Sequence, residues 1–282
     1  MDNISNILFA LMWFAILGGV AGLALAIASK VFAVKVDERI PQIQELLPGA
    51  NCGGCGYAGC PALAEAIVKG EAKPSACVIT DQATASAIAA IMGVEADKHV
   101  RMRAQVMCSG SSEFAKQKCN YEGAKNCFAA ARLGGGDKLC PNGCLGLGTC
   151  VESCPFDAIS VVNGVAVVDY EMCMGCGRCV EACPKHIIKL IPYDSTHWVG
   201  CMSVQKAPET RAACDVGCIS CKLCVKTCKH DAIHVNDFVA AIDYEKCVEC
   251  GECVEKCPRK IIWSDKSQRI RVTIDPEAIE EA

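Results

Sequence analysis

Large side chains are scarce in this chain: only 5% of its 282 residues are aromatic. A core of ordinary size must therefore be completed by something other than Phe, Tyr and Trp. Formal charge is −4 with no long basic run, which excludes the footprint of a nucleic-acid binder. No G-x-G-x-x-G follows a strand-like stretch, so the chain offers no NAD or flavin site of its own. Paired carboxylates and nucleophile–base constellations are also missing, and no catalytic residue is assigned. Of His99, His186, His197, His230 and His234, only the last two are near each other in sequence. They span a turn into a predicted strand, where solvated or structural roles are expected.

What the chain has instead is cysteine, 25 of them. A disulfide scaffold is one explanation of such a count. Thiols at every third position argue against it, because such neighbours suit one metal cluster better than separate bridges. The clearest stretch is CISCKLCVKTC (Cys218, Cys221, Cys224, Cys228) followed by CVECGECVEKCP (Cys247, Cys250, Cys253, Cys257). Each half is C-x2-C-x2-C-x3-C, the spacing of a bacterial ferredoxin with two [4Fe–4S] clusters, in which the fourth Cys reaches to the other cluster. Cys218, Cys221 and Cys224 are thus expected to share a cluster with Cys257, and Cys247, Cys250 and Cys253 with Cys228. Tetrahedral zinc, the competing reading, uses separated C-x2-C knuckles rather than two three-Cys runs.

Charge is absent from Ile4 to Ser29, a length that crosses a hydrocarbon core of about 30 Å as a helix. A cleaved signal peptide would need a basic start, yet only Asp2 is charged before the span, although Ala26-Ile27-Ala28 mimics a cleavage site. A soluble buried helix of this length would show a polar face. A retained single-pass anchor is the better reading, and Lys30, Lys35 and Arg39 after it predict a cytoplasmic location for the rest. Gly18, Gly19, Gly22 and Ala26 would let another helix approach. Next comes LPGANCGGCGYAGCPALAEAIVKG, with Cys52, Cys55 and Cys60 and then Cys77. Its glycines suit a loop folded tightly round a cluster, Pro61 a helix start and Gly70 its end. These four thiols are expected to hold one cubane, with zinc the alternative. A further helix is predicted from Asp81 to Met92, stopped by Gly93.

The carboxy-terminal half is a duplication. Cys144, Cys150, Cys154, Cys173, Cys176, Cys179 and Cys183 recur, at one constant offset, as Cys218, Cys224, Cys228, Cys247, Cys250, Cys253 and Cys257. Val168-Asp169-Tyr170-Glu171 likewise matches Ile242-Asp243-Tyr244-Glu245. Each copy reads as a ferredoxin-like unit with a hairpin, turning at Asn163-Gly164 in the first and at Asn236-Asp237 in the second. Leu147 stands where the second copy has Cys221, so Cys140 is the expected substitute beside Cys144, Cys150 and Cys183, or else the site is a three-ligand [3Fe–4S] cluster. Cys154 joins Cys173, Cys176 and Cys179. Five clusters leave Cys108, Cys119, Cys127, Cys201 and Cys214. A sixth cluster would use Cys108, Cys127, Cys201 and Cys214, unless these are small buried hydrophobes. Lys229 replaces the Pro that follows Cys154, Cys183 and Cys257, which touches only a turn. Trp198 and Trp263 are expected to pack, covering a cluster from water, and the tail after Asp275 to be a solvated acidic face. The fold class is α+β: an anchor over 1–30, a small [4Fe–4S] domain over 31–100, a first repeat with lead-in over 101–200, and a second repeat with tail over 201–282.

An uncharged amino-terminal span, then CGGCGYAGC with Cys77, then CPNGCLGLGTCVESCPFDAI resembles the B subunit of the Rnf electron-transport complex over essentially the whole chain. The duplication is similar to the longer members found in anaerobes. That resemblance implies a partnership with reduced ferredoxin and with membrane and peripheral subunits. Electrons would pass towards a flavin- and NAD-binding subunit while Na⁺ or H⁺ is translocated. The Cys52–Cys77 motif is also similar to one in corrinoid iron–sulfur proteins, but no segment is left over to bind a cobalamin. Short relatives that reduce a sensor protein suggest a third role.

Overall fold

The computed structural model describes residues 2–31 and 37–265, with the side chains of 2–8, 10 and 31 left aside. The acidic tail and Lys35 lie outside the described residues. Helix α1 (Asp2–Val31) is the first element. At a rise of 1.5 Å per residue it is about 45 Å long, more than a bilayer core. Over Leu11–Lys30 its mean hydropathy is 2.2, and none of that stretch is buried against the rest of the chain. Phe14 and Leu25 are 74% and 72% exposed on it. A helix that is apolar all round and finds no partner in its own chain is built for lipid or for other apolar helices.

Three helices form the small domain that follows: α2 (Arg39–Leu46), α3 (Cys60–Val68) and α4 (Gln82–Met92). Ile43, Leu63, Ala64, Ile67 and Ile88 make its core, with Cys60 and Cys77 packed among them. The local signals are chemical. Pro61 occupies the first turn of α3, where a missing N–H costs nothing. Asp81 caps α4 by accepting from the Thr84 amide, and Gly93 ends it in the left-handed region.

Beyond this domain, all strands pair antiparallel in two-stranded sheets. Strand β1 (Met102–Val106) precedes a short helix α5 (Cys127–Arg132). The first repeat then runs α6 (Thr149–Glu152), β2 (Ile159–Val162), β3 (Val165–Val168), α7 (Arg178–Glu181) and β4 (Ile188–Pro192). After β5 (His197–Val199) and α8 (Ala207–Ala213), the second runs α9 (Leu223–Thr227), β6 (Ile233–Asn236), β7 (Val239–Ile242), α10 (Glu252–Lys256) and β8 (Ile262–Ser264). The hairpins are register mates, Ile159 opposite Val168 and Ile233 opposite Ile242. Asn163 and Gly164 turn the first with φ of 47° and 73°; Asp237 and Phe238 turn the second with 46° and 68°. The second turn therefore lies one residue later than Asn236-Asp237, and it forces a bulky side chain into the left-handed region.

Each repeat borrows a strand from the chain that precedes it. β1 pairs with β4 and β5 with β8. The small-residue cores confirm how little aromatic material is needed. Ala158, Ile159, Val165 and Ile187 pack with Cys144, Cys150, Cys173 and Cys179 in the first, and Ile233, Ala240 and Ile262 with Cys218 and Cys224 in the second. Where the repeats abut, Trp198 is 1% exposed and stacks on Trp263 at 5.5 Å between ring centroids and 8° between planes, a pairing worth about 1 kcal/mol beyond burial.

Candidate metal centres

The cysteine runs fold into tight loops whose thiols turn inward onto shared cavities. In the second repeat Cys218, Cys221, Cys224 and Cys257 line a space of about 350 Å³. Cys228, Cys247, Cys250 and Cys253 line another of about 370 Å³. Cys154, Cys173, Cys176 and Cys179 surround about 300 Å³ in the first repeat. In the small domain Cys55, Cys60 and Cys77 share one core. The Asn51 side chain holds the loop there by accepting from the Cys60 amide at 2.8 Å.

The remaining first-repeat site differs from the expectation. Its cavity of about 390 Å³ is lined by Cys144, Cys150 and Cys183 together with Cys127, not Cys140. The cause is local. Asn126 caps α5 by accepting from the Phe128 and Ala129 amides, and the Cys127 amide donates to Thr149 Oγ1 at 2.8 Å. α5 is thereby docked at the start of α6, one residue from Cys150, and Cys127 faces the place that Leu147 leaves without a thiol. Cys140 is drawn elsewhere. The Leu139 amide donates to Lys116 O at 2.7 Å, and Cys140 shares a cavity of about 400 Å³ with Cys108, Cys201 and Cys214. Cys140, and not Cys127, lines the cavity with Cys108, Cys201 and Cys214. Spacing could not reveal Cys127 in this cavity, since α5 lies outside the regular cysteine run of the repeat; a capped helix start directly at a Cys was the available signal. Trp198 and Trp263 line none of these five cavities and stack on each other where the repeats abut.

The donor set fits iron–sulfur clusters. Among the described residues no three His, Cys, Asp or Glu converge closely enough for a single metal ion, whereas a cubane takes one thiolate on each of its irons. Backbone amides aim at the sulfurs: Ala104 N–H at Cys173, Ala166 N–H at Cys144 and Ala232 N–H at Cys228, each at 3.4 Å. Such bonds stabilise thiolate charge and tune a cluster's potential. Burial pushes the Cys150 and Cys179 thiols up to about 12 and those of Cys224 and Cys253 up to about 11. Left to themselves they are neutral, and bound iron is what displaces their protons.

The sites also touch one another. A methyl group on Gly54 would collide with the Cys176 carbonyl, and the Cys176 thiol is pushed up first by burial and further by the nearby Cys52. The amino-terminal centre is therefore seated on the first repeat. Glu249, in the loop of the last centre, accepts from Ser195 Oγ at 2.8 Å, Thr196 N at 2.7 Å and Thr196 Oγ1 at 3.0 Å, tying that loop to the linker between the repeats.

Comparison with known proteins agrees with the chemistry. A putative Fe–S cluster family matches residues 47–79, 4Fe-4S binding domains match 140–158 and 166–189, and a 4Fe-4S dicluster domain matches 217–262. The B subunit of the Na(+)-translocating ferredoxin:NAD(+) oxidoreductase complex of Acetobacterium woodii is 46% identical over 89% of this chain and 75% of its own length. The B subunit of the ion-translocating oxidoreductase complex of Methanosarcina acetivorans is 43% identical over 87% of this chain and 94% of its own. A proton-translocating counterpart from Clostridium ljungdahlii is 41% identical over 90% and 91%. Identity of 41–46% over about nine-tenths of the chain favours neither a corrinoid protein nor a sensor reductase: the chain belongs to the family of B subunits of Rnf-type ion-translocating oxidoreductase complexes and is an iron–sulfur electron-transfer subunit.

Proposed function

We propose that this subunit accepts electrons from reduced ferredoxin and relays them towards membrane and flavin-bearing subunits, for NAD reduction coupled to Na⁺ or H⁺ translocation. The ligand sets proposed are Cys52, Cys55, Cys60 and Cys77; Cys127, Cys144, Cys150 and Cys183; Cys154, Cys173, Cys176 and Cys179; Cys218, Cys221, Cys224 and Cys257; and Cys228, Cys247, Cys250 and Cys253. A bound [4Fe–4S] cluster supplies one-electron exchange without making or breaking bonds. The chain's own residues hold the thiolates, keep water from the small apolar cavities and aim amide N–H groups at sulfur. Lys30 in the last turn of α1 and Arg39 at the start of α2 favour a cytoplasmic side for every thiol. The single observation that carries the proposal is the set of four-thiol cavities in the two repeats, with the Cys52–Cys60 loop in contact with them at Gly54 and Cys176, in a chain with no substrate-sized catalytic constellation among its described residues.

The test is direct. The full chain, purified anaerobically in detergent, is mixed with reduced ferredoxin and its cluster absorbance and EPR are followed. Rapid bleaching with the appearance of reduced-cluster signals is expected. A chain that dithionite reduces but ferredoxin does not would sink the donor assignment.

A further inference from the structure

The cavity between the repeats has features of a built metal site. Cys108, Cys140, Cys201 and Cys214 line it, and Cys108, Cys201 and Cys214 fall outside every matched iron–sulfur domain. Constant sequence offset pairs Cys201 with Cys127, but hydrogen bonding pairs it with Cys108. Met107 N–H donates to Ile187 O at 2.8 Å, and Gly200 N–H to Ile261 O, the repeat mate of Ile187, at 2.7 Å. Cys108 and Cys201 are therefore equivalent, each two residues beyond the end of its borrowed strand. The match continues at sulfur: Cys144 N–H points at Cys108 Sγ at 3.5 Å, and its repeat mate Cys218 N–H at Cys201 Sγ at 3.3 Å. Cys140 and Cys214 are repeat mates as well. Each repeat thus contributes the same half-site, one thiol from its borrowed strand and one from just before its first cluster loop. Four thiols come together only where the two half-sites meet.

A second, independent observation concerns charge. Lys138 lines the same cavity, is 3% exposed, and donates from Nζ to Gly110 O at 2.8 Å and Gly164 O at 2.6 Å. No carboxylate is paired with it among the described residues. Burying an ammonium without a counter-charge is strongly unfavourable, so the cavity calls for an anionic occupant. Neutral thiols do not supply one. Four thiolates on an oxidised four-iron cubane carry a net charge of about −2, which does.

We propose that Cys108, Cys140, Cys201 and Cys214 hold a further [4Fe–4S] cluster that joins the two ferredoxin repeats, with Lys138 as its buried counter-charge. Its two strand-end thiolates accept hydrogen bonds from the amides of Cys144 and Cys218, which are ligands in the two flanking sites. Exchange between the repeats is then one electron passed from a reduced centre to an oxidised one, with no proton moved. The role as a bridge rests on the conduit function proposed above; the existence of the site does not.

Iron and acid-labile sulfide are measured per full chain, purified anaerobically, for the parent, Cys201→Ala, Cys214→Ala and Cys119→Ala. Expected values are ~24 irons for the parent and for Cys119→Ala, and ~20 for the two ligand variants. A parent with ~20 irons overturns the site while leaving the five others standing, and so do ligand variants with the parent's iron content. Because a ligand variant can fail to fold, Lys138→Met provides a second readout with every thiol retained. One cluster in an EPR-monitored titration is expected to move to lower potential in Lys138→Met and to return towards the parent value in Lys138→Arg. Six unshifted midpoints, or disulfides among these four cysteines in the parent by mass spectrometry, would overturn the proposal.

Discussion

Cys127 and Cys140 exchange the parts that their sequence neighbourhoods suggest, and the exchange has a spectroscopic consequence. Cys140 precedes Cys144 closely enough to look like its partner, yet a thiol is placed by the direction of its backbone, not by proximity in sequence. The Leu139–Lys116 hydrogen bond and the turn from Cys140 to Gly143 hold Cys140 at the junction, while the capped start of α5 delivers Cys127 to Cys144, Cys150 and Cys183. Replacing Cys127 with Ala removes one ligand and leaves three, the condition for loss of the fourth iron. The oxidised Cys127→Ala protein is expected to show the EPR signal of a three-iron cluster, silent in the parent. Cys140→Ala is expected to leave that site unchanged and to lower iron content at the junction instead. The reverse result would restore the assignment drawn from spacing. Cysteine spacing was legible wherever the ligands share a loop. It became illegible for Cys108, Cys127, Cys140, Cys201 and Cys214, whose partners come from other elements.

At the scale of elements, the hairpins and the α3 and α4 boundaries were readable because their causes are local: Asn163-Gly164, Pro61, Asp81 and Gly93 each act on their own backbone. The borrowed strands were not. β1 and β5 carry no ferredoxin motif, and β5 pairs with β8 of the second repeat although it immediately follows the first. Only tertiary pairing decides such a partner, since a strand of three residues has little pattern to read. The same limit applies to how the small domain docks, which depends on backbone approaching backbone at Gly54 and Cys176. Gly175 does likewise against Met102, with a φ of +68° that adds strain to any substitution. Gly54→Ala puts a methyl group against a carbonyl that cannot yield without moving its loop, a cost of about 1–3 kcal/mol. That cost falls on the contact between Gly54 and the Cys176 carbonyl, where the small domain meets the first repeat. Iron content is therefore expected to be unchanged in Gly54→Ala. Magnetic broadening between the amino-terminal cluster and its neighbour, read by EPR of the fully reduced protein, should weaken. Unaltered broadening with full iron content would show that the two domains meet elsewhere.

The whole molecule has an apolar helix at one end and, at the other, the most solvent-facing of its motif thiols. Cys221 and Cys250 are exposed, whereas every proposed ligand in the small domain and the first repeat is buried or half-buried. The small domain follows directly on α1, which places Cys52–Cys77 nearest the membrane partners in chain order. A soluble one-electron donor reacts fastest with the least-covered centre, and a bound membrane partner with the centre beside the anchor. Electrons from ferredoxin are thus expected to arrive at the second repeat and leave through the small domain. Rapid-freeze EPR after mixing with substoichiometric reduced ferredoxin can separate the two ends. In Cys250→Ala the earliest reduced-cluster signal should be lost or slowed at least several-fold. In Cys55→Ala that early signal should persist, and only later equilibration should change. Early reduction that survives Cys250→Ala but vanishes in Cys55→Ala would reverse the direction, making the small domain the receiver and the repeats the branch that electrons enter last.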